Sequence, residues 1–229
     1  PPLLQDAVVI CFDTEGWTAD SHKICEVGLN HFSVREMHGI QDRGPHGRNF
    51  MQRLTFCHIR VEENAHLINI GTCPGHPEDN RFGQTRFVDL ANTRKYLNET
   101  FGQLLDPSKP ELGFRPVILL GHALGSDLAK LSTTMDWSPC DFHNVVKVLD
   151  TQQLARDVKI WSHHNNQIGL QKLTIFCHVP YRHPHNANND AAITTFDAFQ
   201  MAIFENDVLR DEDRVEEGMT PEDVVDEIE

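Results

Sequence analysis

The chain has 229 residues, 39% hydrophobic and 24% charged, with 20 Lys and Arg against 34 Asp and Glu for a net charge of −14. That length suits one full hydrophobic core, two domains at most. The ordinary composition excludes a chain that is disordered, fibrous or membrane-spanning throughout. Charge is uneven: Glu205 to Glu229 holds twelve acidic side chains against Arg210 and Arg214, which leaves only −4 on the first 204 residues. Between Arg35 and Arg60, five arginines (Arg35, Arg43, Arg48, Arg53, Arg60) and His38, His46 and His58 stand against Glu36 and Asp42. This stretch reads either as a locally basic face or as a solvated loop of mixed charge. The six cysteines are scattered, with no Cys-x-x-Cys pair, and read as buried free thiols. Cys73 and His76 have a metal-like spacing, but no second pair completes a structural zinc site. The chain begins Pro1-Pro2 without a signal-peptide pattern. With the free thiols, this fits a piece of a longer protein in an intracellular setting, cytoplasmic or nuclear rather than secreted.

In chain order, Ala7 to Thr14, Lys23 to Ser33 and Leu54 to Glu62 are rich in β-formers and predict three sequential strands in a meander. The intervals Arg35 to Arg53 and Ile70 to Gly83 carry turn formers and predict long irregular loops. Leu90, Leu97, Phe101, Leu104 and Leu105 give Val88 to Leu105 a helical period, closed by Asp106-Pro107. Pro116 to Gly121 predicts a short apolar strand, followed by a helix through Leu131, a strand at Val145 to Leu149, and helices near Thr151 and Gly169. Asn186 to Phe204 predicts a last helix with an Asn cap and Ala191, Ala192, Phe196, Phe199 and Ile203 packed inward. The sum is an α/β fold with a mixed five-stranded sheet flanked by helices. Residues 1–205 read as one domain and 206–229 as an acidic tail. The tail reads as disordered or as a loosely docked helix starting at Thr220-Pro221-Glu222-Asp223; a functional version is mimicry of nucleic acid over a basic groove.

Three places carry unusual chemistry. Side chains alternate along a strand, so Asp13 and Glu15 share a face at the end of the first strand. Two carboxylates pointing together repel and raise each other's pKa unless a cation lies between them; taken alone, the pair also reads as a solvated strand end. Asp127 follows Leu124 and precedes Leu128 and Leu131 at helical spacing, which puts a carboxylate on an apolar face. Proximity to the helix N-terminus is its bland explanation. His185 lies in the loop before the last helix and Asp190 in that helix's first turns, with small Ala187 and Ala191 flanking Asp190's face. Such a face packs close to a sheet, while a loop histidine titrates near neutral pH and suits a general base; a capped helix beside an exposed histidine is the alternative.

The order of these pieces resembles the DEDD exonuclease superfamily, more closely its DEDDh branch with a ribonuclease H-like fold. It includes Asp-x-Glu ending the first strand, Ile24-Cys25-Glu26-Val27-Gly28, an Asp in the helix after a later strand, Leu149-Asp150-Thr151, and His-x-Ala-x-x-Asp opening the last helix. The stretches Phe12 to Trp17 and Gly121 to Leu128 look most like a fungal group of exonuclease-like proteins. The resemblance implies that Asp13, Glu15, Asp127 and Asp190 hold two Mg²⁺ or Mn²⁺ ions and that His185 is the base. It also implies 3′ to 5′ hydrolysis of phosphodiesters, RNA favoured over DNA, at a single-stranded 3′ end, with release of nucleoside 5′-monophosphates. Thr14, Gly16, Trp17 and His122 are the expected substrate-binding residues, Trp17 either by stacking on a base or as a core side chain. The pattern departs from the family in its second motif, where Ala123 and Ser126 replace an Asn and an aromatic residue that help to hold the terminal nucleotide. The alternative is a catalytically weak or inactive module that binds nucleic acid or a protein partner. The clusters His163-His164 and His178 to His183 are expected to be loop histidines.

Overall fold

The computed structural model describes residues 2–71, 73–162, 166–210 and 219–228. A short helix, α1 (Pro2–Gln5), precedes β1 (Val8–Trp17) and β2 (Asp20–Ser33); α2 (Val34–His38) and α3 (Arg48–Met51) then lead to β3 (Thr55–Val61). After β4 (Thr85–Val88) and α4 (Leu90–Phe101), strands and helices alternate as β5 (Val117–Gly121), α5 (Gly125–Met135), β6 (Val145–Asp150) and α6 (Thr151–Asp157). Three helices close the chain: α7 (Leu170–Cys177), α8 (Ala187–Arg210) and α9 (Pro221–Ile228). The sheet order is β4-β3-β2-β1-β5-β6. β1, β2 and β3 form the expected antiparallel meander, whereas β5 and β6 run parallel to β1, and β4 runs parallel to β3.

The period of two sends Val8, Ile10 and Phe12 of β1, Val27 and Leu29 of β2 and Ile59 of β3 to one face. There they pack with Leu97 and Phe101 of α4 and with Leu131 of α5. The opposite face receives α8, and positions 26, 28 and 30 of β2 form its seat. Glu26 Oε2 accepts the Ala187 N–H at 3.3 Å, and Asn30 Oδ1 accepts the Thr195 hydroxyl at 2.8 Å. At Gly28 between them, a Cβ would lie 2.1 Å from the Asn188 nitrogen, so only glycine lets the helix backbone rest on the strand. Asn186 caps α8 as expected, its side chain accepting the Asn189 N–H at 3.1 Å.

Several expectations need correction. The sheet has six strands, not five: β4 is a short edge strand with no buried residue, so no alternation marks it in the sequence, and the expected helix start at Val88 falls inside it. The helix itself ends at Phe101, capped by Gly102, rather than reaching Leu105. Arg35 to Arg53, expected to be irregular, holds the short helix α3 and most of α2. Its arginines are not a bare basic face, since Arg35 pairs with Asp6 and Arg48 with Glu227, while Arg60 pairs with Glu78. Cys73, in a loop, and Cys140, in a short 3-10 turn, are exposed, whereas Cys11, Cys25, Cys57 and Cys177 are the buried free thiols expected of all six. His163 and His164 lie outside the described residues, as does 211–218 of the tail. The described end of the tail is a docked helix: Val224 and Val225 of α9 are buried in a second core with Met51, Phe82 and Phe196. Among the described residues no helix is long and apolar enough to cross a membrane.

Gly28→Ala forces α8 off its seat, because the atoms it meets are backbone and cannot rotate away. Overpacking of this kind costs about 3 kcal/mol or more. Urea unfolding at matched pH is the check; a loss under about 1 kcal/mol would contradict the seat.

Candidate active site

Beyond Phe12 the apolar run of β1 ends while its alternation continues. Asp13 and Glu15 stay on the face toward α8, and Thr14 stays on the face toward α5. Asp13 is paired with Gly28 across the β1–β2 ladder. The residue that admits the first turn of α8 therefore lies beside the first carboxylate, and this brings Asp190 to it. Glu15, His185 and Asp190 present ligand atoms within 4.8 Å of one another, with His185 Nδ1 at 3.7 Å from Glu15 Oε1. Asp190 is 6% exposed. Its Oδ2 accepts the His185 N–H at 3.1 Å, whereas its Oδ1 is buried without a hydrogen-bond partner.

Asp127 reaches the same end of the sheet from the other side. It lies in the first turn of α5 and is 4% exposed. Thr14 anchors it, its hydroxyl donating to Asp127 Oδ1 at 2.6 Å and its N–H at 3.2 Å. Lys130, one turn further along α5, lies 3.7 Å from Asp127 and donates to the Thr14 carbonyl at 2.8 Å. The structure thus gathers Asp13, Glu15, Asp127, His185 and Asp190 from three separate parts of the sequence.

Burial and mutual repulsion shape their protonation. Asp13 is pushed well above the usual carboxylate range, first by burial, then by the charges of Asp127, Asp190 and Glu15. Burial also raises Asp127, opposed by the Thr14 hydrogen bonds and Lys130. Asp190 is raised to about 7, chiefly by burial and next by Glu15. His185 is raised above its ordinary value by its hydrogen bond with Glu15, against the effect of burial. A cluster held this way is out of balance without positive charge at its centre. Oxygen donors and an orphaned buried Asp190 Oδ1 fit hard divalent cations such as Mg²⁺ or Mn²⁺.

The other expected residues fall around this centre. Thr14 is buried, with its hydroxyl committed to Asp127. Gly16 and Trp17 lie where β1 turns into β2; Asn69 donates to the Gly16 carbonyl at 2.8 Å, and Lys23 Nζ lies 5.4 Å from the Trp17 ring centre. His122 bonds Thr151 Oγ1 through Nδ1 at 2.7 Å, and burial lowers its pKa. Ala123 and Ser126 are exposed, and Ser126 Oγ lies 3.4 Å from Asp127 Oδ2. Sequence reasoning passed over Lys130, although its place three residues after Asp127 is a helix-pair signal. It also passed over Tyr181, whose buried phenol is raised first by burial and then by Asp190 and has no local signal.

Residues 8–201 match the model of the DEDDh_C family, described as DNA polymerase III subunit epsilon-like, C-terminal domain. The chain belongs to the DEDDh family. This places it in the DEDDh 3′–5′ exonuclease superfamily. It is 23% identical over 208 residues to the Saccharomyces cerevisiae protein called Good for full DBP5 activity protein 2, an alignment covering 83% of this chain and 34% of that protein. Among solved structures, exonuclease I superposes with a TM-score of 0.51 at 9% identity over 86% of this chain and 41% of its own. The zinc-bound E. coli exonuclease I–single-stranded DNA complex gives 0.50 at 11% identity over 90% of this chain and 42% of its own. These likenesses show a shared DEDDh fold; the chain spans about a third of the curated relative and two fifths of the solved chains.

The raised Asp190 makes the cluster a pH-dependent burden on the metal-free protein. A carboxyl whose folded pKa of about 7 exceeds its unfolded value of about 3.9 stabilises fully below pH 4 and loses that contribution as pH rises to 7. Asp190→Asn is therefore expected to melt higher than the parent in EDTA at pH 8, with the gap closing toward pH 4. Thermal unfolding across that range tests it, and a gap independent of pH would contradict the raised carboxyl.

Proposed function

We propose that this protein is a metal-dependent 3′ to 5′ exonuclease that hydrolyses phosphodiester bonds of a single-stranded nucleic-acid end, RNA in preference to DNA, and releases nucleoside 5′-monophosphates. The observation that carries the reading is the convergence of Asp13, Glu15, Asp127, Asp190 and His185 at one end of the sheet in a DEDDh-family chain. The preference for RNA rests on the family resemblance alone. In this reading residues 1–205 form the catalytic domain, with 206–229 as an acidic adjunct.

Asp13, Glu15, Asp127 and Asp190 would hold two Mg²⁺ or Mn²⁺ ions. Bound there, such a pair supplies Lewis-acid chemistry: it lowers the pKa of water and neutralises charge on the attacking and leaving oxygens. Thr14 fixes the Asp127 carboxylate through two hydrogen bonds, so its role is to position that ligand. Lys130 offsets part of the carboxylate charge from the α5 side. His185, partly exposed and beside Glu15, is placed to take the proton of the attacking water, and its N–H bond to Asp190 keeps its loop on the carboxylate set. Trp17 at the hairpin end offers a ring for stacking on a base, beside Gly16, and His122, held by Thr151, is a further candidate contact for substrate.

The acidic helix α9 buries its valines in the second core and pairs its carboxylates with two arginines near the start of α8. Glu222 and Asp226 pair with Arg182, three residues before His185, and Asp226 also bonds Arg81 at 3.0 Å. An acidic segment on arginines beside a nuclease centre competes with phosphates for them. Replacing Glu222 and Asp226 by Gln and Asn keeps Val224 and Val225 as the anchor and removes the competition. That variant is expected to bind single-stranded RNA more tightly in fluorescence anisotropy at fixed salt; an unchanged Kd rejects the masking role.

The deciding experiment is a gel assay of 3′- and 5′-labelled single-stranded RNA and DNA with Mg²⁺, Mn²⁺ or EDTA, run beside Asp13→Ala. The expected result is a metal-dependent ladder shortening from the 3′ end, absent in Asp13→Ala. His185→Ala should lower turnover by about 10²- to 10⁴-fold. Intact substrates with folded protein would favour the binding-module alternative, in keeping with the altered Ala123 and Ser126 positions.

A further inference from the structure

Outside the carboxylate centre, the 66–83 loop meets the segment between α7 and α8. His76 Nδ1 and His183 Nδ1 lie 3.3 Å and 3.2 Å from the same atom, Asp79 Oδ2. One ligand atom from each of the three residues lies within 4.8 Å of the other two. Four-coordinate zinc with bonds of about 2.0 to 2.1 Å sets neighbouring ligand atoms about 3.3 Å apart along the edges of the tetrahedron. Two of the three edges already have that length.

The backbone under these side chains is fixed by the start of α8. Asn186 Nδ2 donates to the His76 carbonyl at 3.0 Å, while Asn189 Nδ2 donates to the carbonyls of Asp79 at 2.9 Å and His183 at 3.3 Å. Both asparagines are 0% exposed. His183 holds a left-handed backbone, φ 50°, which a non-glycine residue keeps only where its surroundings impose it. The side chains themselves are 35–47% exposed, so an ion can enter. Cys73, which shares a metal-like spacing with His76, is not part of the group among the described residues.

We propose that His76, Asp79 and His183 form a second metal site, separate from the carboxylate centre, for a zinc-class transition ion held by three protein ligands with a fourth position open to water. Two imidazoles select zinc, cobalt or nickel over the hard cations suited to the four carboxylates. The ion clips the 66–83 loop to the segment that carries His185; the His76 N–H already donates to the His185 carbonyl at 3.3 Å.

The test uses the full chain and Zn²⁺ alone, measured by isothermal titration in Asp13→Ala/Asp190→Asn, which removes two carboxylates of the centre and breaks the Glu15–His185–Asp190 group, and in the same background carrying His76→Gln and His183→Gln. The expected result is one Zn²⁺ equivalent in the first and a Kd weaker by at least about 10-fold in the second, since loss of even an outer-shell partner costs that much. Equal Zn²⁺ affinity in both, or no saturable Zn²⁺ binding by Asp13→Ala/Asp190→Asn, overturns the site. Histidine-ring NMR of Asp13→Ala/Asp190→Asn during the titration decides independently of the folding of the variant that also lacks the two histidines. Shifts of the signals assigned to His76 and His183 support the site, and shifts confined to other histidines overturn it.

Discussion

The first turn of α8 lies directly on β2, and the rest of the site depends on that contact. At Gly28 there is no room for a Cβ, and on either side Glu26 and Asn30 bond the helix at Ala187 and Thr195. The arrangement is cooperative: a glycine alone would leave a gap, and the two polar side chains alone would hold the helix a side-chain length away. Burying Glu26 is itself costly, and it is supported by His58 Nε2 at 3.0 Å on the neighbouring strand. Because Asp13 pairs with Gly28, whatever seats α8 also sets the separation of Asp13 from Asp190.

That proximity opposes stability. Four carboxyl groups share a region where burial already disfavours charge, and the chain compensates only in part, through Thr14 and Lys130 at Asp127 and the His185 N–H at Asp190. Repulsion of this kind survives in a fold when the surroundings over-determine the geometry. Here the sheet supplies Asp13 and Glu15, and two helices packed on opposite faces supply Asp127 and Asp190. The proposed cation-binding role would give the strain a purpose, since positive charge turns repulsion into coordination.

The asparagines that open α8 extend the same logic outward. Asn186 and Asn189 cap the helix and hold His76, Asp79 and His183, while Asn188 Nδ2 bonds the Phe82 carbonyl at 2.6 Å. One buried helix turn thereby fixes the long loop before β4 and the histidine-rich segment after α7. Among its described residues the loop forms no helix or strand, and these side chains, rather than a ladder, satisfy the carbonyls of His76, Asp79 and Phe82.

Much of this was legible in the residues themselves. Alternation and apolar runs gave the meander and the β5–α5–β6 order, and the displaced charge of Asp127 among Leu124, Leu128 and Leu131 marked a carboxylate in need of a partner, because local pattern and local polarity are written in neighbouring residues. The edge strand β4 was not legible, since its side chains are partly or fully exposed and carry no period; nor was the place where α9 docks, whose valines join a core that includes Met51 and Phe82, more than a hundred residues away, as well as Phe196. The sequence by itself determined which residues carry charge, which faces are apolar and where the last long helix begins. Only the tertiary structure decided that Thr14 serves Asp127, that Gly28 seats α8, and that His76, Asp79 and His183 meet. Those depend on distances between segments remote in the chain, which packing alone sets.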